Sequence, residues 1–214
     1  MTPDGNILVF DTETISVGKQ FIYNLGYQVV RPDGSVIVER DLVIRQVYDN
    51  KPLFETAYYA GKRPLYTNGM RSRRMKKVSW GDACRIMAKD IKDHKVADGY
   101  AFNSSFDERA FYFNHLFFKN KVRPLDGIRV HDIMSYIKVF TETDDYKRFC
   151  KANGFVCKNG RVKRTAESCY AYISGNGCYR EQHIALADSR IEKDILFYSL
   201  ERMADKPIYE TEDE

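Results

Sequence analysis

Apolar runs separated by turn residues divide the first part of the chain into strands. Ile7-Leu8-Val9-Phe10 follow Gly5-Asn6 and predict a buried strand. Residues 21–30 are rich in β-branched and aromatic side chains, Asp33-Gly34 is typical of a hairpin turn, and 35–44 predicts the returning strand. These strands, joined by short connections, predict a meander.

Apolar positions at helical spacing dominate the remainder. From residue 79 onward the predicted elements are a helix over 79–93, a strand over 97–102, a helix over 106–118, a helix that begins at Asp132 and runs to Phe140, a short helix over 147–152 and a final helix over 184–203. Residues 157–180 show no regular period, and 45–78 is interpreted as a basic, partly helical excursion over the surface. Strands first, then strand and helices in alternation, predict a single α/β domain over 1–205, followed by an acidic, flexible tail over 206–214.

Composition describes an ordinary water-soluble globular chain. It has 214 residues, of which 43% are hydrophobic and 30% charged. The sequence contains no stretch as long as a membrane span and no signal peptide at its polar start, so a cytoplasmic protein that does not contact membranes is expected. The five cysteines are odd in number and lack CxxC spacing, which favours reduced thiols over disulfides or a zinc site.

The positive charge is unevenly distributed. The formal net charge is only +4, but five cations crowd into residues 71–77 and four more into 158–164. Clusters of this kind suit the phosphates of nucleic acid, although each could equally be a solvated loop.

Two acids follow directly after the first strand. Side chains alternate along a strand, so Asp11 and Glu13 point to the same face. They repel each other there, and a divalent cation between them would relieve that repulsion. Two solvated acids at an exposed strand end remain the alternative.

Two further acids occur in apolar helices. Asp107 lies in the first turn of one helix, where capping alone could explain it. Asp188 is harder to explain, because Ile184, Asp188, Ile191 and Ile195 recur at spacings of four, three and four, which is one buried stripe. An unpaired carboxylate is costly in such a place and needs a metal or a cation. His183, just before this helix, is a candidate general base because its unperturbed pKa is about 6.5.

Taken together, these residues resemble the three exonuclease motifs of the DEDD superfamily in its DEDDh branch. The matching segments are Phe10-Asp11-Thr12-Glu13-Thr14, Asn103-x-x-Phe106-Asp107 and His183-x-x-x-x-Asp188, in the order in which the family carries them. That branch includes the proofreading subunit of bacterial replicative polymerases, ribonuclease T, oligoribonuclease and stand-alone 3′→5′ exonucleases.

The resemblance implies a fold, a reaction and a set of roles. The fold would be ribonuclease H-like, a mixed five-stranded sheet with helices on both faces. Asp11, Glu13, Asp107 and Asp188 would hold two Mg²⁺ or Mn²⁺ ions, and His183 would deprotonate the attacking water. Thr12, Thr14, Asn103 and Phe106 would lie beside the terminal nucleotide. The expected activity is release of nucleoside 5′-monophosphates from the 3′ end of nucleic acid, with single-stranded DNA as the expected substrate.

The chain departs from the family pattern at three places, one of which is the long, basic segment from Tyr48 to Lys77, a candidate substrate platform of this protein's own. Ile15-Ser16-Val17 stands where relatives commonly have Thr-Gly-Leu, which puts Val17 in place of a residue that wedges against the 3′-terminal base. Asn24 replaces a Glu common in the second strand.

The sequence leaves several alternatives open. One is an exoribonuclease of the same fold, and another is a nucleic-acid-binding module without catalysis. A polymerase or another replication or repair protein could be a partner, and the sequence indicates no oligomeric state.

Overall fold

A computed structural model describes residues 3–204. In chain order the elements are β1 (Ile7–Thr14), β2 (Ile22–Val30), β3 (Val36–Ile44), α1 (Arg45–Tyr48), α2 (Lys51–Phe54), α3 (Arg63–Arg71), β4 (Lys76–Val78), α4 (Trp80–Asp93), β5 (Asp98–Ala101), α5 (Ser104–Phe117), β6 (Arg129–Asp132), α6 (Lys138–Thr141), α7 (Asp144–Ala152), α8 (Ala166–Ile173) and α9 (Ala185–Ala204). Short 3₁₀ turns cover Ala60–Lys62 and Ile133–Ser135. The acidic tail expected over 206–214 lies outside the described residues.

The strands form one mixed sheet in the order β4-β3-β2-β1-β5-β6. β1, β2 and β3 pair antiparallel as the predicted meander, whereas β5 and β6 continue the sheet parallel to β1. This confirms the predicted α/β, ribonuclease H-like architecture. β4 adds a short sixth strand, parallel to β3, at the outer edge.

Helices cover the sheet on both faces, as expected. Leu8 and Phe10 belong to an apolar cluster that includes α4 and α5 residues, and Ile7 and Val9 belong to a second cluster that includes α8 and α9 residues. Because side chains alternate along β1, this single strand contributes to both cores. β1 is thereby fixed on both faces just before its acids. No helix within residues 3–204 combines the length and apolar character that crossing a membrane requires.

The interpretation of 45–78 as a surface excursion is wrong for three of its aromatic residues. Tyr48, Phe54 and Tyr66 are buried, and their rings pack edge to face with centroids 5.0–6.5 Å apart. Burying three large rings outweighs the surface preference of the charged residues between them. The segment forms α1, α2, α3 and β4, and its exposed residues include most of its basic side chains.

Three other local expectations are corrected by the structure. Asp132 caps a 3₁₀ turn instead of a long helix, through the backbone N–H of Met134, and 129–132 is a strand. Residues 166–173 form a helix within the stretch expected to be irregular, because Thr165 and Ser168 cap it reciprocally. Asn103 does not cap α5 with its side chain; it adopts the left-handed conformation with φ 61°.

Candidate active site

The end of β1 delivers acidic side chains toward α5 and α9. The backbone N–H and the hydroxyl of Thr12 both donate to Asp107 Oδ1, at 3.0 and 2.6 Å. Asp107 is therefore held by the strand as well as by the first turn of α5. Beside it, the N–H of Asn103 donates to Asp132 Oδ1 at 2.9 Å, which fixes the turn between β5 and α5 to β6.

Asp188 reaches this strand because the start of α9 lies directly on β2. Gly26 pairs with Asp11, and a Cβ added at Gly26 would lie only 2.0 Å from the backbone nitrogen of Leu186. Only glycine permits so close an approach. Asn24 secures the same contact, since its Oδ1 accepts from Ala185 N at 2.9 Å while its amide donates to Asp41 at 2.7 Å.

Glu13, His183 and Asp188 form a group that could hold a cation, in which two of the three side chains are carboxylates. One potential ligand atom from each lies within 4.8 Å of the other two. Oδ1 of Asp188 is buried without a hydrogen-bond partner, which is costly unless a ligand completes it. Carboxylate oxygens are the donors that Mg²⁺ and Mn²⁺ prefer, so the residues present fit a divalent cation.

The remaining two predicted ligands lie beside this group. Asp107 devotes Oδ1 to Thr12, and the negative charge of Asp107 acts on Asp11. Asp11 and Asp107 are thus brought to the same acid cluster, although neither is part of the three-residue group.

Burial and mutual repulsion perturb every acid in the cluster. Burial, followed by the charges of Glu181 and Glu13, raises the pKa of Asp188 to about 9. Burial raises the pKa of Glu13 to about 7 and that of Asp107 to about 7. The pKa of Asp11 lies well above its usual value through burial, then through Glu192 and Asp107. Without a cation, the cluster therefore retains protons near neutral pH.

His183 lies at the edge of the cluster in a left-handed conformation, with φ 50°. The ring of Tyr59 stacks on it at 4.0 Å between centroids, and the Tyr59 hydroxyl lies 3.0 Å from Nε2. Nδ1 lies 4.0 Å from a Glu181 carboxylate oxygen. Burial, followed by the charge of Lys62, lowers the pKa of His183. The imidazole is therefore neutral at pH 7, as a general base must be.

These residues line one cleft of about 670 Å³. Its walls include every residue that the sequence predicted for the site: Asp11, Thr12, Glu13, Thr14, Val17, Asn103, Phe106, Asp107, His183 and Asp188. Val17 and Tyr58 are 81% and 83% exposed, so two apolar side chains stand free at the cleft. An apolar residue that contacts a terminal base would occupy such a position.

Sequence reasoning missed four neighbours of the site. Glu192 is buried one turn after Asp188 and accepts from Phe102 N at 3.3 Å; its spacing of four from Asp188 could have revealed it. Glu181 has its pKa raised to about 7 by burial and then by Glu167. Tyr59 and Lys62 come from the irregular segment before α3, and no sequence pattern marked them.

No protein-family model and no curated protein sequence matches this chain. Its fold does match a solved structure, E. coli exonuclease I in complex with a dA16 oligonucleotide, with a TM-score of 0.52 and 12% identity. Exonuclease I is a DnaQ-like enzyme of the DEDDh type, so the resemblance noted in the motifs is confirmed at the level of fold. The match covers 90% of this chain and 40% of exonuclease I, so the chain corresponds to less than half of that protein.

Proposed function

We propose that this protein is a metal-dependent 3′→5′ exonuclease. The observation that carries the proposal is the convergence of Glu13, His183 and Asp188 within 4.8 Å, with an unpartnered buried oxygen on Asp188. Four carboxylates and a neutral imidazole in one open cleft suit hydrolysis of a phosphodiester better than they suit binding alone. The exonuclease I fold supports the same conclusion.

The proposed roles are those that the motif resemblance implies, and the presence of these side chains in one cleft supports them. Asp11, Glu13, Asp107 and Asp188 would hold two Mg²⁺ or Mn²⁺ ions. When bound, such ions stabilise the charge that develops on the attacking and leaving oxygens of an in-line displacement. His183 takes a proton from the attacking water, the new P–O bond forms, and the 3′ oxygen of the penultimate nucleotide leaves. Thr12, Thr14, Asn103 and Phe106 bind the terminal nucleotide, which is released as a 5′-monophosphate.

Single-stranded DNA is the proposed substrate class. Exonuclease I was solved with a single-stranded dA16 oligonucleotide, and the cleft here is open with exposed apolar residues at which a terminal base can pack. An exoribonuclease is the second candidate, since only a contact to the 2′-hydroxyl separates the two sugars. Comparing the cleavage rates of DNA and RNA strands of one sequence decides between them.

End-labelled oligonucleotides with Mn²⁺ test the proposal directly. A ladder of products shortened from the 3′ end is expected from the wild type, and none from Asp11→Asn or Asp188→Asn. Asp126→Asn is the matched control, because Asp126 is exposed and outside the cleft. A full-length band retained by the folded wild type would instead favour a nucleic-acid-binding module. Unaltered cleavage by Asp188→Asn would refute the assigned site.

A further inference from the structure

The turn after α3 is a rigid structure that carries four exposed cations: Arg71, Arg73, Arg74 and Lys76, here called the basic turn. The carbonyl of Gly69 accepts from the N–H groups of Arg74 and Met75, at 3.0 and 3.1 Å. Met75 is buried against Gly69, where a Cβ would approach its sulfur to 2.5 Å. A solvated, mobile loop would have neither contact, so the cations project from a fixed base.

No ion pair within residues 3–204 neutralises these four cations. Their surroundings differ in this respect, because nearby cations are paired: Lys77 with Asp49, Arg85 with Asp82, Lys89 with Asp93 and Arg40 with Asp90. The basic turn is therefore a concentrated positive charge with no acid at ion-pair distance among residues 3–204, although Glu39 and Asp41 line a groove with Arg74. A polyanion is the chemistry that completes it.

Arg73 adds a conformational argument. It adopts φ 59°, where glycine is favoured and other residues are strained. Lys95 and Lys119 also follow helices with positive φ, so the helix dipole can account for one cation at such a position. The helix dipole cannot account for four cations within six residues, because one of them, Lys76, already belongs to the next strand.

The sheet fixes the distance from the basic turn to the acid cluster. Thr12, Leu25, Leu42 and Lys76 are successive partners across four neighbouring strands. Three strand spacings of about 4.8 Å place Lys76 about 14 Å from the strand that carries the acids. At about 3.4 Å per stacked nucleotide, this separation corresponds to about four nucleotides.

A side groove that is partly lined by the basic turn lies beside the active-site cleft. Gln182 and Ile184 line a groove of about 460 Å³ that Arg74 also lines, whereas their neighbours Glu181 and His183 face the active-site cleft. The wall between cleft and groove is thus the segment from Glu181 to Ile184, in which Lys62 donates a hydrogen bond to the Gln182 carbonyl. A strand that left the cleft over this wall would reach the groove that Arg74 lines.

We propose that the basic turn binds the phosphates of the strand being degraded, beginning about four nucleotides on the 5′ side of the reacting end. The inference rests on the proposed exonuclease function for the direction of the strand. The contacts are to backbone phosphates, so binding is independent of base sequence.

The salt dependence of binding gives the expected size of the effect. Each phosphate contact to a single strand contributes about 0.7 to the slope of log affinity against log salt. Replacing Arg73, Arg74 and Lys76 with Ala should therefore reduce the slope by about 2. Between about 50 and about 200 mM salt, the wild type should then lose about 20-fold more affinity than the triple variant.

The test measures binding by fluorescence anisotropy in EDTA, which prevents cleavage, using DNA strands of about four and about twenty nucleotides. The triple variant should bind the long strand much more weakly. The ratio of its affinity for the long strand to its affinity for the short strand should fall toward one. Lys158→Ala with Arg161→Ala removes charge from the other basic cluster and should leave that preference as in the wild type.

Arg73→Gly separates binding from folding. It should raise or preserve the melting temperature, because glycine accepts the backbone conformation, yet weaken binding of the long strand. Lys119→Gly relieves a similar conformation and removes a similar charge, and it should leave binding intact. Weaker binding by both glycine variants alike, or a wild-type salt slope in the triple variant, would overturn the inference.

Two further outcomes distinguish this inference from the proposed function. Loss of long-strand binding in the triple variant, with no cleavage by the wild type in Mn²⁺, would support the binding surface and refute the exonuclease. The triple variant could instead lose more affinity for blunt duplex DNA than for single-stranded DNA. That result would place the complementary strand on the basic turn and overturn the assignment to the degraded strand.

Discussion

The acid cluster should make the metal-free protein less stable as pH rises, and Asp188→Asn should remove much of that loss. Asp188 is 3% exposed, and its pKa is raised from 3.8 to about 9. An acid whose folded-state pKa is raised contributes stability that is complete below its unfolded-state value and is lost as pH rises through the folded-state value. At pH values between these two pKa values, the folded protein holds one more proton than the unfolded chain.

The size of the effect follows from linkage. One extra proton in the folded state changes the free energy of unfolding by about 1.4 kcal/mol per pH unit, so raising the pH from about 6 to about 8 costs about 3 kcal/mol. Glu13 and Asp107 have raised pKa values too, but they are common to both proteins. The difference between wild type and Asp188→Asn therefore reports the Asp188 carboxylate together with its effect on Glu13.

Urea unfolding in EDTA, followed by the fluorescence of Trp80, measures this difference. Trp80 is the single tryptophan and is fully buried, so its emission reports global unfolding. We expect Asp188→Asn to be the more stable protein at about pH 8 without metal. Mn²⁺ at 100 times its dissociation constant should add about 2.7 kcal/mol to the wild type alone and so remove most of the difference. The reasoning would be refuted if the free energy of unfolding of the two proteins had the same dependence on pH in EDTA. Equal stabilisation of both proteins by Mn²⁺ would also refute it.

Three further substitutions probe the cleft. His183→Ala should abolish turnover while Mn²⁺ affinity, measured by calorimetry, stays within a few-fold; a large loss of affinity would make His183 a ligand instead of a base. Gly26→Ala should displace the start of α9 and lower both stability and Mn²⁺ affinity, because the new Cβ meets the Leu186 backbone; wild-type unfolding curves would contradict this. Val17→Ser should raise KM for oligonucleotides more than it lowers kcat, since 81% of the side chain is exposed for contact with a base; an unchanged KM would exclude that contact.

The central sheet and the acids could be predicted because each rests on a short-range pattern. The run Ile7 to Phe10 is apolar on both faces of the strand, and Asp188 interrupts a helical stripe whose spacing shows which side is buried. The positions of the site residues in one cleft follow from those two elements and α5.

What the sequence could not predict depends on contacts between distant segments. Tyr66 is buried only because Tyr23, Tyr48 and Phe54 surround it, which no local period encodes. The role of Asn24 as a bridge from Asp41 to the first N–H of α9 likewise requires the docked helix. β6 is four residues long, too short for its alternation to be visible.

The contact between Gly26 and α9 also has a consequence for the order in which the protein is made. Asp11 and Glu13 lie on β1 and are therefore synthesised before Asp188, which lies on α9. Until α9 packs on β2, the acids of β1 and α5 lack Asp188 and the proposed cation site is incomplete. Under the proposed function, a chain that ends before α9 is therefore inactive. Nuclease activity appears only after α9 has packed on the sheet.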